Sequence, residues 1–134
     1  MKVVFVSHFY PRCKRDYYLS RSRTGLSSAA DAHQYAIALG LRDVCEDFEV
    51  INIPAVSHYP IRYKDLYQKS EIIYENGLII HNVGYNNLIE YQLLSRCINT
   101  RKELDKILVS TDDDIYIVLY GINYAINKAV VDIK

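Results

Sequence analysis

The chain has 134 residues, half of them hydrophobic, with 16 Lys and Arg against 16 Asp and Glu and a net charge of zero. That supports one domain with one core, excludes a disordered chain, and excludes a globally basic nucleic-acid binder, so no nucleic-acid partner is expected. Cys13, Cys45 and Cys97 have no CxxC spacing and point to reduced thiols of a cytoplasmic protein; MKVVFV is too short for a signal peptide, and no stretch approaches the ~20 apolar residues of a membrane span.

The first predicted element is a strand, Lys2 to Ser7. Its apolar residues are consecutive rather than alternating, so both of its faces are covered. A long loop follows, His8 to Leu26, carrying Arg12, Lys14, Arg15, Arg21 and Arg23 against Asp16 alone. Gly25 closes the loop ahead of a helix from about Ser28 to Val44, where Ser28 and Asp31 resemble a capping box. Ala32, Tyr35, Ala36 and Leu39 share the face expected to lie on the sheet.

A second strand covers 48–53 and ends at Pro54, and residues 54–70 read as irregular or weakly helical. Asn76-Gly77 between two β-prone runs predicts a hairpin of strands 71–75 and 78–83. The helical region from about Asn87 to Leu108 is expected to bury Tyr91, Leu94, Cys97, Ile98, Leu104 and Leu108. Thr100 with Glu103 suggests a fresh start and a break near Asn99. Residues 115–120 predict another buried strand. Ile122, Ala125, Ile126, Ala129, Val130 and Ile133 then trace the apolar stripe of a last helix. No stop signal follows that helix before Lys134, which suggests the front part of something longer.

Strands alternating with helices predict an α/β fold: a single Rossmann-like three-layer αβα domain over 1–134, with a mostly parallel sheet and one β-hairpin. In such a sheet ligands bind at the carboxyl ends of the strands, where a helix N-terminus favours an anion. The Gly25–Ser27 turn is such a place. It has no GxGxxG and no GxxxxGK[ST], which argues against dehydrogenase and NTPase chemistry and leaves either an anion site or an ordinary helix start. The basic loop reads as a solvated segment or as a contact for phosphate or anionic lipid. Among His8, His33, His58 and His81 no pair has metal-ligand spacing, and His8, directly after the first strand, is the best candidate for a polar role. Tyr120-Gly121-Ile122-Asn123 forms a second strand-to-helix turn, in which Asn123 caps the helix or meets a ligand. Asp112-Asp113-Asp114 precedes a strand and so lies at the opposite edge.

KVVFVSHFYP, the basic loop and RTGLSSAADAHQYAIALG together resemble the start of a family 4 type glycosyltransferase of the GT-B fold. YENGLIIHNVGYNNLIEYQLLSRCINTRKELDKIL and DIYIVLYGINYAINKAVVDIK are similar to the rest of that family's N-terminal half. The resemblance implies retaining transfer of a sugar from a nucleotide-sugar donor to an acceptor hydroxyl, in polysaccharide or lipid-linked glycan synthesis. It places Gly25 and Ser27 against the donor diphosphate and His8 and Tyr10 on the acceptor side, to which the second strand-to-helix turn adds Tyr120 and Asn123 as candidate acceptor-binding residues. The catalytic residues stay unknown, the residues themselves call for no metal and no protein nucleophile, and no cofactor beyond the donor substrate is expected. The loop has one glycine where many members have two. The donor-binding C-terminal half is not within these residues, so the chain alone is expected to be inactive. Residues 12–23 are the candidate peripheral contact with the inner membrane face. The rival expectation is a non-catalytic α/β module binding a phosphorylated small molecule in the same crevice; a third is self-association through an uncovered apolar face.

Overall fold

The computed structural model describes residues 1–26, 28–121 and 124–131. In chain order its elements are strand β1 (Lys2–Ser7), a 3-10 turn (Arg12–Lys14), helices α1 (Arg15–Arg21) and α2 (Ser28–Val44), strands β2 (Phe48–Asn52), β3 (Tyr67–Gln68), β4 (Glu71–Glu75), β5 (Leu78–Asn82) and β6 (Tyr85–Asn86), helix α3 (Gln92–Val109), strand β7 (Ile115–Leu119) and helix α4 (Tyr124–Val131).

The main sheet runs β4-β5-β2-β1-β7. All neighbours are parallel except the β4–β5 hairpin, and β3 and β6 form a separate antiparallel pair. The fold is therefore α/β with a mostly parallel sheet, compatible with a Rossmann-like arrangement. Asn76 and Gly77 both take positive φ (48° and 73°), the two left-handed residues of a primed hairpin turn.

All six residues of β1 are buried. Alternation sends Val3 and Phe5 against Tyr35 and Ala38 of α2, and Val4 and Val6 against Leu104 and Ile107 of α3 and Ile126 of α4. Each such side chain contributes roughly 1.5–3 kcal/mol of burial. The chain passes from β1 outward through β2 to the hairpin and returns to β7 on the other side of β1. The carboxyl ends of β1 and β7 thus bracket a topological switch point, where doubly wound sheets open a crevice.

Four expectations are corrected. Residues 12–23 are not a solvated loop: they fold into the 3-10 turn and α1, and Tyr18 is 1% exposed. The inward face of α2 is Asp31, Gln34, Tyr35 and Ala38, whereas Ala32 and Ala36 are exposed. Helix α3 is continuous through Asn99 and buries Gln92, Thr100, Leu104 and Ile107, while Tyr91, Leu94 and Ile98 are exposed. Strand β7 is the sheet's edge among the described residues, and its Tyr116, Val118 and Leu119 are exposed there. Of the last-helix stripe, Ile126 and Ala129 are buried as expected, and Ile122 and Ile133 lie outside the described residues. No described helix is long and apolar enough to cross a membrane.

Candidate functional site

The carboxyl rim of the sheet is built from buried polar residues. Ser7, Asn52 and Asn82, the last residues of three adjacent parallel strands, are all at most 3% exposed. Ser7 Oγ donates to Asn52 Oδ1 (3.1 Å), and Asn52 Nδ2 donates to Asn82 Oδ1 (2.9 Å). Asn82 Nδ2 continues to the Tyr18 hydroxyl (2.8 Å). The Asn52 amide also pairs with the backbone of Phe9 in both directions, 2.9 Å each way, so it acts as a strand partner where the ladder has ended. Burial of these groups is tolerated because each finds a partner.

Helix α2 pins the segment after β1 from above. Asp31 Oδ1 accepts from Tyr10 N–H (2.7 Å), and Gln34 Oε1 accepts from His8 N–H (2.6 Å). Asp31 Oδ2 holds Arg12 Nη1 at 2.8 Å, and the Arg12 guanidinium lies 4.1 Å from the centre of the Tyr35 ring. Glu75 accepts from Arg12 N–H (2.9 Å), Cys13 N–H (3.2 Å) and the Tyr35 hydroxyl (2.5 Å). Burial alone would push the Glu75 carboxyl up; those donors outweigh it and hold it below the usual carboxylate range. Burial, with Glu75 as partner, pushes the Tyr35 hydroxyl up to about 12.

The segment after β2 is clamped through four consecutive carbonyls. His8 Nδ1 lies 3.3 Å from Ile53 O, and the hydroxyls of Tyr85 and Tyr10 each donate over 2.5 Å to Pro54 O and Ala55 O. Gln92 Nε2 (3.2 Å) and Arg96 Nη2 (3.3 Å) donate to Val56 O. A carbonyl only accepts, so neutral His8 carries its proton on Nδ1 and leaves Nε2 as an acceptor. Burial, helped by the charge of Arg96, lowers the His8 pKa despite the Ile53 contact and keeps the ring neutral near pH 7. Arg96 stacks 4.3 Å over Tyr85 and donates to its hydroxyl (3.1 Å), and its Nε is buried without an acceptor.

The expected site residues fall as follows. His8 is half-buried at the rim, whereas Tyr10 is 2% exposed with its hydroxyl committed to Ala55. Tyr120 reaches α2, with its hydroxyl 3.0 Å from His33 Nδ1 and the two rings edge to face. That contact sets the first turns of α2 over the ends of both β1 and β7. Gly25 has φ +83° and is exposed, with nothing within 4 Å of where a Cβ would sit. Ser27 and Asn123 lie outside the described residues. Of the basic segment, Arg12, Lys14 and Arg21 pair with Asp31, Glu71 and Asp65 of the chain itself. His81 lies away from the crevice under α3, 3.2 Å from Glu49 and 3.8 Å from Glu103.

Sequence reading missed Asp31, Gln34, Asn52, Asn82 and Arg96. The available signal was polar residues at inward helix positions and an Asn closing two parallel strands. Two clefts lie outside this rim. One of about 410 Å³ runs between α3 and the hairpin and contains Glu49, Glu71, His81 and Glu103. The other, about 640 Å³, lies between 58–62 and Leu88-Ile89. Among the described residues no cluster of three or more His, Cys, Asp or Glu could hold a metal ion. Comparison of the chain with protein-family models, with curated proteins and with solved structures finds no match in any of the three.

Proposed function

We propose that this chain is the acceptor-side α/β unit of a retaining glycosyltransferase of the GT-B type, working in the cytoplasm with a second, donor-binding unit. One observation carries the assignment: the N-terminal turns of α2 stand over the carboxyl ends of β1 and β7, tied there by Tyr10 to Asp31, His8 to Gln34 and Tyr120 to His33. The first turn of a helix holds N–H groups without intrahelical partners and the positive end of the dipole. Facing a leaving diphosphate, those groups steady the charge that develops as the sugar departs. Gly25 leaves the approach open on its Cβ side, where nothing lies within 4 Å.

On the acceptor side the His8 ring is fixed by its Ile53 contact and offers Nε2 to a hydroxyl. A pre-oriented acceptor hydroxyl supplies proximity rather than new chemistry. No cofactor is invoked; the nucleotide sugar is substrate. A peripheral contact with an anionic membrane face rests on Arg15 and Arg23, which are exposed, at ~1 kcal/mol per basic residue.

The test is NMR titration of the chain with nucleotide sugars and with glycan acceptors, beside a sugar-transfer assay. Acceptors are expected to move the His8 and Tyr120 signals, and the chain alone is expected to transfer nothing. Transfer by these 134 residues alone would contradict the division of labour. Shifts caused by a phosphorylated small molecule, with none from glycans or nucleotide sugars, would favour the non-catalytic binding module.

A further inference from the structure

Arg96 occupies an unusual position. It projects from the second turn of α3 into the carboxyl rim, half-buried, and its three described contacts are all to neutral groups: the Val56 carbonyl, the Tyr85 hydroxyl and the Tyr85 ring. No described ion pair gives it a carboxylate. Its Nε–H is buried with no acceptor at all. A half-buried cation without a counter-charge, with one donor unsatisfied, is costly for the empty protein. By contrast Lys2 meets Glu49, Arg12 meets Asp31, Lys14 meets Glu71 and Arg21 meets Asp65.

The surroundings are rigid. Tyr85 and Gln92, which flank Arg96, are themselves fastened to the 54–56 carbonyls. The guanidinium is therefore pre-set, and little side-chain freedom remains to be lost on binding. His8 is fastened to the same 53–56 segment as Arg96, its Nδ1 at the Ile53 carbonyl and the Arg96 Nη2 at the Val56 carbonyl, and it presents an unprotonated Nε2.

From this geometry we propose that Arg96 and His8 form an oxyanion-binding subsite, taking a phosphate or carboxylate group on the guanidinium fork. An acidic ligand group brings the missing counter-charge, and a group carrying a proton can donate it to His8 Nε2. Taken with the acceptor-side assignment above, the acceptor would be a sugar derivative bearing an acidic group next to the hydroxyl that reacts. That last step rests on the proposed function, whereas the subsite does not.

The experiment uses the whole chain, titrated with inorganic phosphate and separately with acetate, and followed through the arginine Nε–H and histidine ring signals in NMR spectra. Phosphate or acetate should shift the Arg96 Nε–H and His8 signals together. Arg96→Gln should weaken binding about tenfold or more, the loss of one charge-assisted hydrogen bond. Arg62→Gln, at an exposed arginine, should leave it unchanged. Which probe binds more tightly tells phosphate from carboxylate. Equal affinity in Arg96→Gln and the unmodified chain would place the anion elsewhere, such as at α2, and overturn the subsite; so would silence of the Arg96 signal with both probes. Should Arg96→Gln not fold, the unmodified chain's Arg96 and His8 signals decide alone. Glycans and nucleotide sugars that leave the His8 and Tyr120 signals unmoved would count against the transferase and leave this result standing.

Discussion

Asp31→Ala tests how the rim is held together. The Asp31 side chain is 1% exposed and accepts two charge-assisted hydrogen bonds, from Tyr10 N–H and Arg12 Nη1. Removing it takes the carboxylate acceptor away from the buried Tyr10 amide, which costs about 1–3 kcal/mol. Arg12 also loses its carboxylate. It is about one-third exposed, at 32%, and keeps Tyr10 O and the Tyr35 ring, so screening limits that part to about 1 kcal/mol. The expected total is about 3 kcal/mol, or roughly 9 °C in Tm for a chain of this size. Asp31→Asn retains the acceptor for Tyr10 but turns a donor toward Arg12, and should lose about half as much, on the order of 1.5 kcal/mol. If Asp31 acted only on the helix dipole, both variants would lose no more than about 1 kcal/mol. Urea and thermal unfolding measure the loss, and amide exchange at Tyr10 reports whether 8–12 has come loose. Equal losses in the two variants, or an unchanged Tyr10 amide, would refute the pinning of this segment by α2.

Gly84→Ala should cost about 2–4 kcal/mol by chemical denaturation, because the added Cβ would sit 2.2 Å from Gln68 O and 2.5 Å from Ser70 N, backbone atoms that cannot step aside. Glu75 has its pKa depressed in the folded state, so its contribution is present above the ordinary glutamate pKa and lost as pH falls through the folded one. Glu75→Gln should therefore lower stability at neutral pH and flatten the acid limb of a stability profile taken from about pH 3 to 7. Thr100 is fully buried with an unpartnered hydroxyl, so Thr100→Val should be neutral or stabilising by up to about 1 kcal/mol in thermal melts.

Local sequence was enough for the elements that depend on local rules. The continuous apolar run of β1, the span Ser28–Val44 of α2 and the Asn76-Gly77 turn follow from burial on two faces, helical period and left-handed φ, and each formed where expected. The inward faces of α2 and α3 did not follow from apolar periodicity, for one shared reason. At the carboxyl rim, the positions that point inward are Asp31, Gln34, Gln92 and Arg96, and each holds a loop backbone carbonyl or amide. Hydrophobic period therefore selected the neighbouring stripe, Ala32 and Ala36 in one helix and Tyr91, Leu94 and Ile98 in the other. Thr100 is a buried mid-helix residue and not a new cap, a distinction that depends on where Leu104 and Ile107 pack.

Sequence by itself determined the alternation of strands and helices, and with it the carboxyl rim shared by the parallel strands, because those features arise from residues close together along the chain. Only the tertiary structure decided which polar side chains line that rim. Asn52 meets Phe9 and Arg96 meets Val56 across some 40 residues, and a hydrogen bond formed over such a separation leaves no periodic trace in either partner's own segment.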